Sequence, residues 1–577
     1  MPAVTIQFLP RASTAERVAA SHMDTQRLIL FVVFSISVLL LWENWQKANL
    51  PVRGPLAPAA QRATGVPTPS EPPSGAVPVE PPQRGAAALP GGDERAAKGQ
   101  LVRVHTDLAI AEIDTVGASL TQLELLKQRA TDDPSKNYVL LDRQYGYSAE
   151  SGLIGAGMPN HHSLWKLLPG ALSLAPGADK LEVRFAADGP KGLSVEKVYT
   201  FHRNSYVVDV AFVLKNDGKA PLKTDAYFQL VRDDKAPEGE GSMMQHREYH
   251  GPAIYTKEHA YEKVSFSDVD KGKAEYPKQA RDGWIAMVQH YFVSAWIPAE
   301  NTPREYYIKK LPGALYSAGL ILPTPQIDPG ATARVDARLY SGPQEEGRLK
   351  QAAPGLDLVV DYGWLSIIAW PLFAVLRFYH GWTGNWGVAI ILLTVSVKLL
   401  FFPLSATSYK SMAKMKLVTP RMQKIREMYA NDRAKMNQAM MELYKTEKIN
   451  PLGGCLPIAV QIPVFISLYW VLLSSIELRN APFIFWIKDL SALDPYYVLP
   501  VLMTISMVVQ TRMNPKPPDP VQAKVMTFMP FIFSVMFFFF PAGLVLYWLV
   551  NNILSILQQW QIQRMFTRGK AANAKKR

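Results

Sequence analysis

Apolar positions gather toward the two ends of this 577-residue chain, and the long middle alternates polar with apolar as a soluble domain does. The first dense run, Leu28–Trp42 (LILFVVFSISVLLLW), follows Arg27 and has the length and positive flank of an uncleaved signal anchor. A cleavable signal peptide is the alternative, but no small-x-small site closes the run. Trp42-Glu-Asn-Trp45 follows instead, as an interfacial aromatic pair would. A spanning helix is therefore predicted at residues 28–46, with residues 1–27 inside the cell and Met1–His22 read as an extension upstream of Met23.

Residues 47–100 cannot pack a core. Eleven prolines lie between Pro51 and Gln100 among Ala, Gly and charged residues, which predicts an extended tether outside the membrane. From residue 101 to 345 the pattern changes to short alternating runs divided by turn signals. Leu101-Val-Arg-Val-His105, Glu182-Val-Arg-Phe185, Tyr206–Val213 and Tyr291–Ile297 have the β-branched and aromatic content of strands. One large β-sandwich with at most a short helix is predicted. It carries no clustered carboxylate pair and no metal-ligand spacing, and His161, His162, His246, His250 and His259 read as surface residues.

Beyond residue 356 the chain turns apolar again. Residues 356–380 contain spaced aromatics and Pro371, which predicts an amphipathic helix lying in the outer interface. Five runs then read as spans: 386–404 (WGVAIILLTVSVKLLFFPL), 456–473, 497–513, 525–540 and 544–560. With the first helix this makes six. Charge tests the topology: an inside N-terminus puts residues 405–450, the Arg512–Lys524 connection and the basic tail 561–577 in the cytoplasm, and all are rich in Lys and Arg. The loop 474–494, with two basic and three acidic residues, falls outside together with the sandwich.

The segment 405–450 reads as two amphipathic helices, with Pro420 breaking the first and Asn431-Asp432 turning between antiparallel arms. Methionines recur at 412, 415, 422, 428, 436, 440 and 441. They form either the seam between the arms or an adaptable contact face, and both can hold. Lys410, Lys414, Met415, Lys416, Arg421, Arg426, Met440 and Met441 are the candidate docking residues.

The net charge of +13 changes the picture only through its distribution. Residues 404–454 hold ten Lys/Arg against four Asp/Glu, and the tail from 561 holds six with no acid. Anionic phospholipid headgroups and ribosomal RNA suit these segments; DNA is not an expected partner. The single cysteine, Cys455, excludes an internal disulfide and a cysteine-built metal site.

One residue inside a span is costly. Lys398 sits in the apolar run 386–404, and an ionisable group there marks function. A lysine this close to a helix end also reaches the headgroups on its long stem, so the charge alone does not decide. Thr394 lies one turn away on the same face, and Gln461, near the cytoplasmic end of the next span, falls at similar depth. Ser467, Tyr547-Trp548 and Asn551-Asn552 add polar positions, while prolines at 457, 463, 500, 530 and 541 loosen the helices. The economical arrangement is a hydrated cavity open to cytoplasm and lipid that stops before the outer leaflet. It holds a positive charge and no acid, with no base–nucleophile pair, phosphate loop or metal triad, so binding rather than bond chemistry is expected and no cofactor is implied.

Gly384-Asn-Trp-Gly387, Pro403-Leu404, Ser411-Met-Ala-Lys-Met415, Asn450-Pro-Leu-Gly-Gly-Cys-Leu-Pro457, Gln461-Ile-Pro463, Ala481-Pro-Phe483, Asp494-Pro-Tyr-Tyr497, Lys524-Val-Met-Thr-Phe-Met-Pro530 and Pro541-Ala-Gly-Leu-Val-Leu-Tyr547 closely resemble the YidC family of bacterial inner-membrane insertases. The resemblance implies a polytopic α-helical membrane protein with six transmembrane helices, five of them an insertase core, plus a large periplasmic β-supersandwich domain. It further implies that Lys398 stands at the family's groove arginine and that Thr394, Gln461, Ser467, Tyr547 and Trp548 belong to the substrate groove. The implied partners are nascent inner-membrane proteins, the SecYEG translocon with its accessory proteins, and the ribosome with the signal recognition pathway. Lysine keeps the charge of arginine but loses the bidentate fork. A small-solute or lipid transporter, and a scaffold of the translocon, remain the competing function classes.

Overall fold

The computed structural model describes residues 99–131, 133–235, 249–447, 456–514 and 520–575. The expected first span, its N-terminal flank, nearly all of the tether, His246 and Cys455 lie outside the described residues.

The alternating runs form two nine-stranded sheets whose neighbours are antiparallel. Across its centre one sheet places Ser148–Ile154, Asp225–Asp233, Leu315–Pro323 and Arg304–Leu311 side by side; the other places Trp284–Val288, Phe292–Pro298, Thr332–Pro343, Val207–Asn216, Leu193–His202 and Lys180–Asp188. The period of two is plain in Leu101–His105, where Val102 and Val104 are buried between exposed neighbours. Phe228 of the first sheet meets Phe212 and Trp296 of the second, with ring centroids 5.9 and 5.1 Å away, so the two inner faces share one core. A short helix, α1 (Phe266–Asp270), interrupts the strands.

Among the polar residues buried in the sandwich, His161 and Lys197 are held furthest from their ordinary charge. Contrary to the sequence expectation of a surface position, His161 is only 9% exposed: its imidazole hydrogen-bonds the Tyr227 hydroxyl and lies 3.8 Å from Glu150. Desolvation holds its pKa down, at about 4. Lys197 is fully enclosed and donates to the carbonyls of Gly117 (3.0 Å) and Ser151 (3.3 Å). Burial pushes its pKa down to about 7. Below pH 7 the folded and unfolded chains both carry this proton; between about 7 and 10.5 only the unfolded chain does. Relative to a Lys197→Met variant, the native chain should therefore gain about 1.4 kcal/mol of stability per pH unit through that window. Chemical unfolding of both proteins at pH 7 and pH 9 measures the gap between them. A gap that stays constant would show that Lys197 does not titrate on folding.

Strands Trp284–Val288 and Phe292–Pro298 are buried on both faces, which alternation alone does not explain. Part of the second covering is the segment after the sandwich, where α2 (Glu346–Ala352) leads to the Pro354 carbonyl, which accepts from Trp284 Nε1 at 3.1 Å. Further contacts come from the helical region that follows, where the Leu473 carbonyl accepts from Tyr291 and Arg479 lies over Phe292.

That region comprises α3 (Ser366–Thr383), α4 (Trp386–Leu400), α5 (Phe402–Met428), α6 (Arg433–Thr446), α7 (Leu456–Ser474), α8 (Val498–Met513), α9 (Pro520–Phe537) and α10 (Ala542–Lys575). Helix α3 buries Ala369, Phe373 and Leu376 and leaves Ile367, Phe378 and Trp382 exposed, so large apolar side chains stand on both its buried and its open face. It ends at Gly384 in the left-handed conformation, and Asn385 then caps α4 by accepting from Val388 N–H at 3.1 Å. The apolar run expected as one element to residue 404 breaks at Phe401: α4 and α5 meet at 67° and together have the length and hydropathy of a span. By that measure no single helix among the described residues is long and apolar enough, although the shorter segments Val460–Ser474, Val498–Met513 and Ala523–Phe537 are strongly apolar. Helix α5 runs on through Pro420 rather than breaking there, and α10 continues into the expected tail as one helix.

The loop between α7 and α8 gathers three helix starts. Asp494 is 2% exposed and accepts from Trp486 Nε1 (2.9 Å), Tyr496 N–H (3.1 Å) and Leu499 N–H (2.7 Å), the last in the first turn of α8. The Ala492 and Leu490 carbonyls accept from Ala542 and Gly543 N–H at 2.7 and 2.8 Å, which satisfies the start of α10. Asn385 Nδ2 donates to the Phe483 carbonyl at 2.9 Å, bringing in α4. A side chain at Gly387 would place its Cβ 2.1 Å from the Phe483 ring, so this approach requires glycine. The same loop holds the sandwich: Arg479 donates to the Arg129 carbonyl and Thr131 Oγ1 at 2.5 and 3.0 Å, with its guanidinium over the Tyr138 and Phe292 rings.

Candidate functional site

Helices α4, α5, α7, α8 and α10 enclose a cavity of about 260 Å³. Lys398 enters from α4, Tyr409 and Met412 from α5, Gln461 and Phe465 from α7, Gln510 and the following Asn514 from the end of α8, and Tyr547, Trp548, Asn551, Asn552 and Ser555 from α10. Among the described residues none of those lining the cavity is acidic, so the single ionisable cation Lys398 sets the sign of the site. Its side chain is 7% exposed, and its ammonium donates to Ser555 Oγ at 2.8 Å.

The cavity is organised along one face of α10. Residues 547, 551, 555 and 559 recur every fourth position and so lie one above another. Asn551 Oδ1 accepts from Gln461 Nε2 at 2.6 Å; Ser555 receives Lys398; Gln559, fully buried, donates to Asn514 Oδ1 at 3.1 Å. On the adjoining row Asn552 Nδ2 donates to Ser506 Oγ of α8 at 2.8 Å. The last helix thus pairs one polar group with each of α4 and α7 and with the α8 end. Some capacity is left over: Trp548 Nε1 and the side-chain oxygens of Gln558 and Gln559 are buried without a hydrogen-bond partner among the described residues. Trp548 packs between Phe465 and Phe537, with centroids 4.3 and 5.5 Å away.

Of the residues singled out in the sequence, the structure brings Lys398, Gln461, Tyr547 and Trp548 together. Thr394 and Ser467 stand apart from the lining. Both are buried, and their hydroxyls turn back to the Ile390 and Pro463 carbonyls of their own helices at 2.7 and 2.8 Å. Sequence reasoning missed Ser555, Tyr409, Gln510 and Asn514. The four-residue spacing from Tyr547 through Asn551 to Ser555 was the available signal.

Helices α5 and α6 form the expected hairpin. Val418 and Met422 pack with Met415, Met440, Leu443 and Tyr444, so these methionines make the seam, whereas Met428 and Met441 stay exposed. Arg421 pairs with Glu447 across the arms at 2.6 Å and is engaged within the hairpin. Lys410 and Lys416 are exposed; Lys414 and Arg426 are half-buried.

Comparison with known proteins covers nearly all of the described chain. Residues 101–375 match the model of the YidC periplasmic domain, and residues 378–570 match that of the 60Kd inner membrane protein. The membrane protein insertase YidC of Nitrosospira multiformis is 54% identical over 571 residues, spanning 96% of this chain and 99% of that protein. Its counterpart in Dechloromonas aromatica is 51% identical over 554 residues, with the same two shares. Among solved structures, an active YidC insertase crystal structure with its first transmembrane domain resolved aligns over 80% of this chain and 92% of its own, at 18% identity and a TM-score of 0.38.

Proposed function

Because the chain belongs to the YidC family of membrane protein insertases, we propose that the cavity between α4, α5, α7, α8 and α10 is the groove in which a nascent protein's polar segment is held during insertion. The chain is an insertase and chaperone of the inner membrane, with a multi-pass helical region and a periplasmic β-sheet domain. Six spans, with both termini and the α5–α6 hairpin in the cytoplasm, fit the basic residues of those segments. The tether and a β-supersandwich then lie outside, and α3 lies in the outer interface.

The observation that carries the reading is a cavity with one cation, no acid and several hydrogen-bonding side chains, set among apolar helices. A polar segment crossing an apolar layer loses its water at a cost of several kcal/mol per unpaired group. The groove lowers that barrier partway by offering Gln461, Asn551, Asn552 and the unpartnered Trp548 N–H as hydrogen-bond partners. Lys398 attracts acidic segments. The apolar segment that follows leaves sideways into lipid, where burial of its own surface drives the last step. Nothing in this sequence of events makes or breaks a covalent bond, so no ATP and no cofactor enters it. Lys410, Lys414, Lys416 and the exposed Met441 give the hairpin a basic, adaptable face for the ribosome and the signal recognition pathway, and the translocon SecYEG with its accessory proteins shares the larger substrates. Thr394 and Ser467 support the groove wall from behind.

Site-specific photocrosslinking during translation of a short inner-membrane protein tests this. Probes at Gln461 and Trp548 should capture the nascent chain, and a probe at Ile367, which faces away from the groove, should not. Equal capture at all three positions, or none at the first two, would sink the groove.

A further inference from the structure

Where the sandwich meets the far end of α7 lies a second enclosed space, of about 190 Å³. That is room for roughly six water molecules at their liquid volume. Tyr249, Tyr261, Lys263, His290, Asp361 and Trp470 line it. Lys263 and Asp361 bring one charge of each sign and form an ion pair, and His290 hydrogen-bonds through Nε2 to the Leu473 carbonyl at 3.1 Å. Lys263 stands over the Tyr249 and Tyr261 rings, 5.1 and 5.7 Å from their centroids. The two tyrosines differ in one respect. The Tyr249 hydroxyl accepts from Val264 N–H at 2.9 Å and is bonded to the Pro252 carbonyl, whereas the Tyr261 hydroxyl is enclosed with no partner among the described residues. A buried hydroxyl without a partner is costly and calls for an occupant.

We propose that this cavity binds the zwitterionic headgroup of an outer-leaflet phospholipid carrying a primary amine, with the ammonium on Asp361 and the phosphate on Lys263 and the Tyr261 hydroxyl. The inference rests on the orientation proposed above, which puts the Ser474 end of α7 at the outer interface. Trp470 lies four residues before that end, about 6 Å along the axis, at the depth where headgroups and aromatic belts meet. A site with one cation and one anion matches a zwitterion. A purely anionic headgroup would leave Asp361 facing like charge, and a quaternary amine would offer it no hydrogen bond. The Tyr249 and Tyr261 faces hold the Lys263 ammonium in place, which leaves the Trp470 face for cation–π attraction to the lipid ammonium. Bound there, the lipid bridges the sandwich (Tyr249, Tyr261, Lys263) and α7 (Trp470, Ser474), so it helps seat one on the other.

The test uses the full chain in nanodiscs containing equal amounts of phosphatidylethanolamine, phosphatidylcholine and phosphatidylglycerol, followed by native mass spectrometry of the retained lipid. Wild type should keep phosphatidylethanolamine about fivefold over either other lipid, and Asp361→Asn and Tyr261→Phe should each cut that preference to near unity. Tyr261→Phe removes a hydroxyl that no group among the described residues uses, so its loss of preference reports binding rather than misfolding. Indifference among the three lipids, a preference for phosphatidylglycerol, or an unchanged preference in both variants would overturn the proposal. So would displacement of the lipid by soluble phosphoethanolamine, which would make a free zwitterion the occupant. Orientation is checked separately by labelling Ser474→Cys, in a Cys455→Ser background, with a membrane-impermeant maleimide from outside. Failure there would overturn the topology while leaving a selective lipid preference standing.

Discussion

Replacing Lys398 with glutamate is expected to slow insertion of proteins with acidic translocated segments on the order of 100-fold more than insertion of uncharged ones. The reasoning is electrostatic. Among the described residues of the cavity lining Lys398 is the only ionisable cation and there is no acid, and its ammonium is bonded to the neutral hydroxyl of Ser555. In a wet cavity of effective dielectric about 40, a carboxylate roughly 6 Å away gains about 1.4 kcal/mol from the lysine and loses as much to a glutamate. The swing of about 3 kcal/mol corresponds to two powers of ten. Lys398→Met removes only the attraction and should cost about tenfold. Lys398→Arg should keep the acidic preference, because the charge is retained. Insertion rates into inverted vesicles, for one substrate whose translocated segment is made acidic or neutral, give the ratio directly. Equal slowing of both versions would show that the charge is dispensable and that Lys398 serves packing or hydration alone.

Much of this site was legible before any coordinates, and the reason is depth. Counting residues from helix ends placed Lys398 and Gln461 at one level, and both line the cavity. Rotation about the helix axes was the harder quantity. Thr394 shares a face with Lys398 by spacing, yet its hydroxyl is used by its own helix, because a threonine in an apolar helix can satisfy itself on the carbonyl four residues back. A lysine has no such outlet. The helix that organises the groove was the least conspicuous in sequence for the same chemical reason. Asn551, Asn552, Ser555, Gln558 and Gln559 lower the hydropathy of the span 544–560, whereas in the structure they share one inner face of α10. The bend at Phe401 carried no signal beyond Pro403, two residues on.

In the β-domain, alternation revealed the strands but not the doubly buried ones. Trp284–Val288 and Phe292–Pro298 are apolar on both faces because segments remote in sequence cover the second face, including the end of α7, where the Leu473 carbonyl accepts from Tyr291 at 3.1 Å. His161 misled because a histidine in a polar pair looks solvated. Only the pairing across the sheet, from Tyr227 opposite Gly152, shows what encloses it.

Substituting Asp494 by alanine is the change expected to cost the helical region most, about 4 kcal/mol, through the loss of three bonds to one buried carboxylate. Its oxygens satisfy an indole N–H and two backbone N–H groups, which lose this acceptor together when the side chain is removed. The carboxylate also faces the start of α8, where negative charge is favoured by the exposed N–H groups of the first turn. Tyr497, just before that helix, holds a left-handed conformation with φ of 54°, unfavourable for a tyrosine and maintained by the turn that Asp494 closes. Asp494→Asn keeps one acceptor oxygen but turns an amide NH2 toward a donor, so about half the loss is expected. Because the adjoining carbonyls of Leu490 and Ala492 receive the first N–H groups of α10, the damage extends to the helix that carries Asn551 and Ser555. Thermal unfolding in detergent, followed by the helical circular dichroism signal, should show a lowered midpoint graded Asp, Asn, Ala. Insertion should then fall for acidic and neutral substrates alike, which separates this substitution from Lys398→Glu. An Asp494→Ala protein that melts with the wild type would mean that the loop, and not its carboxylate, sets the starts of α8 and α10.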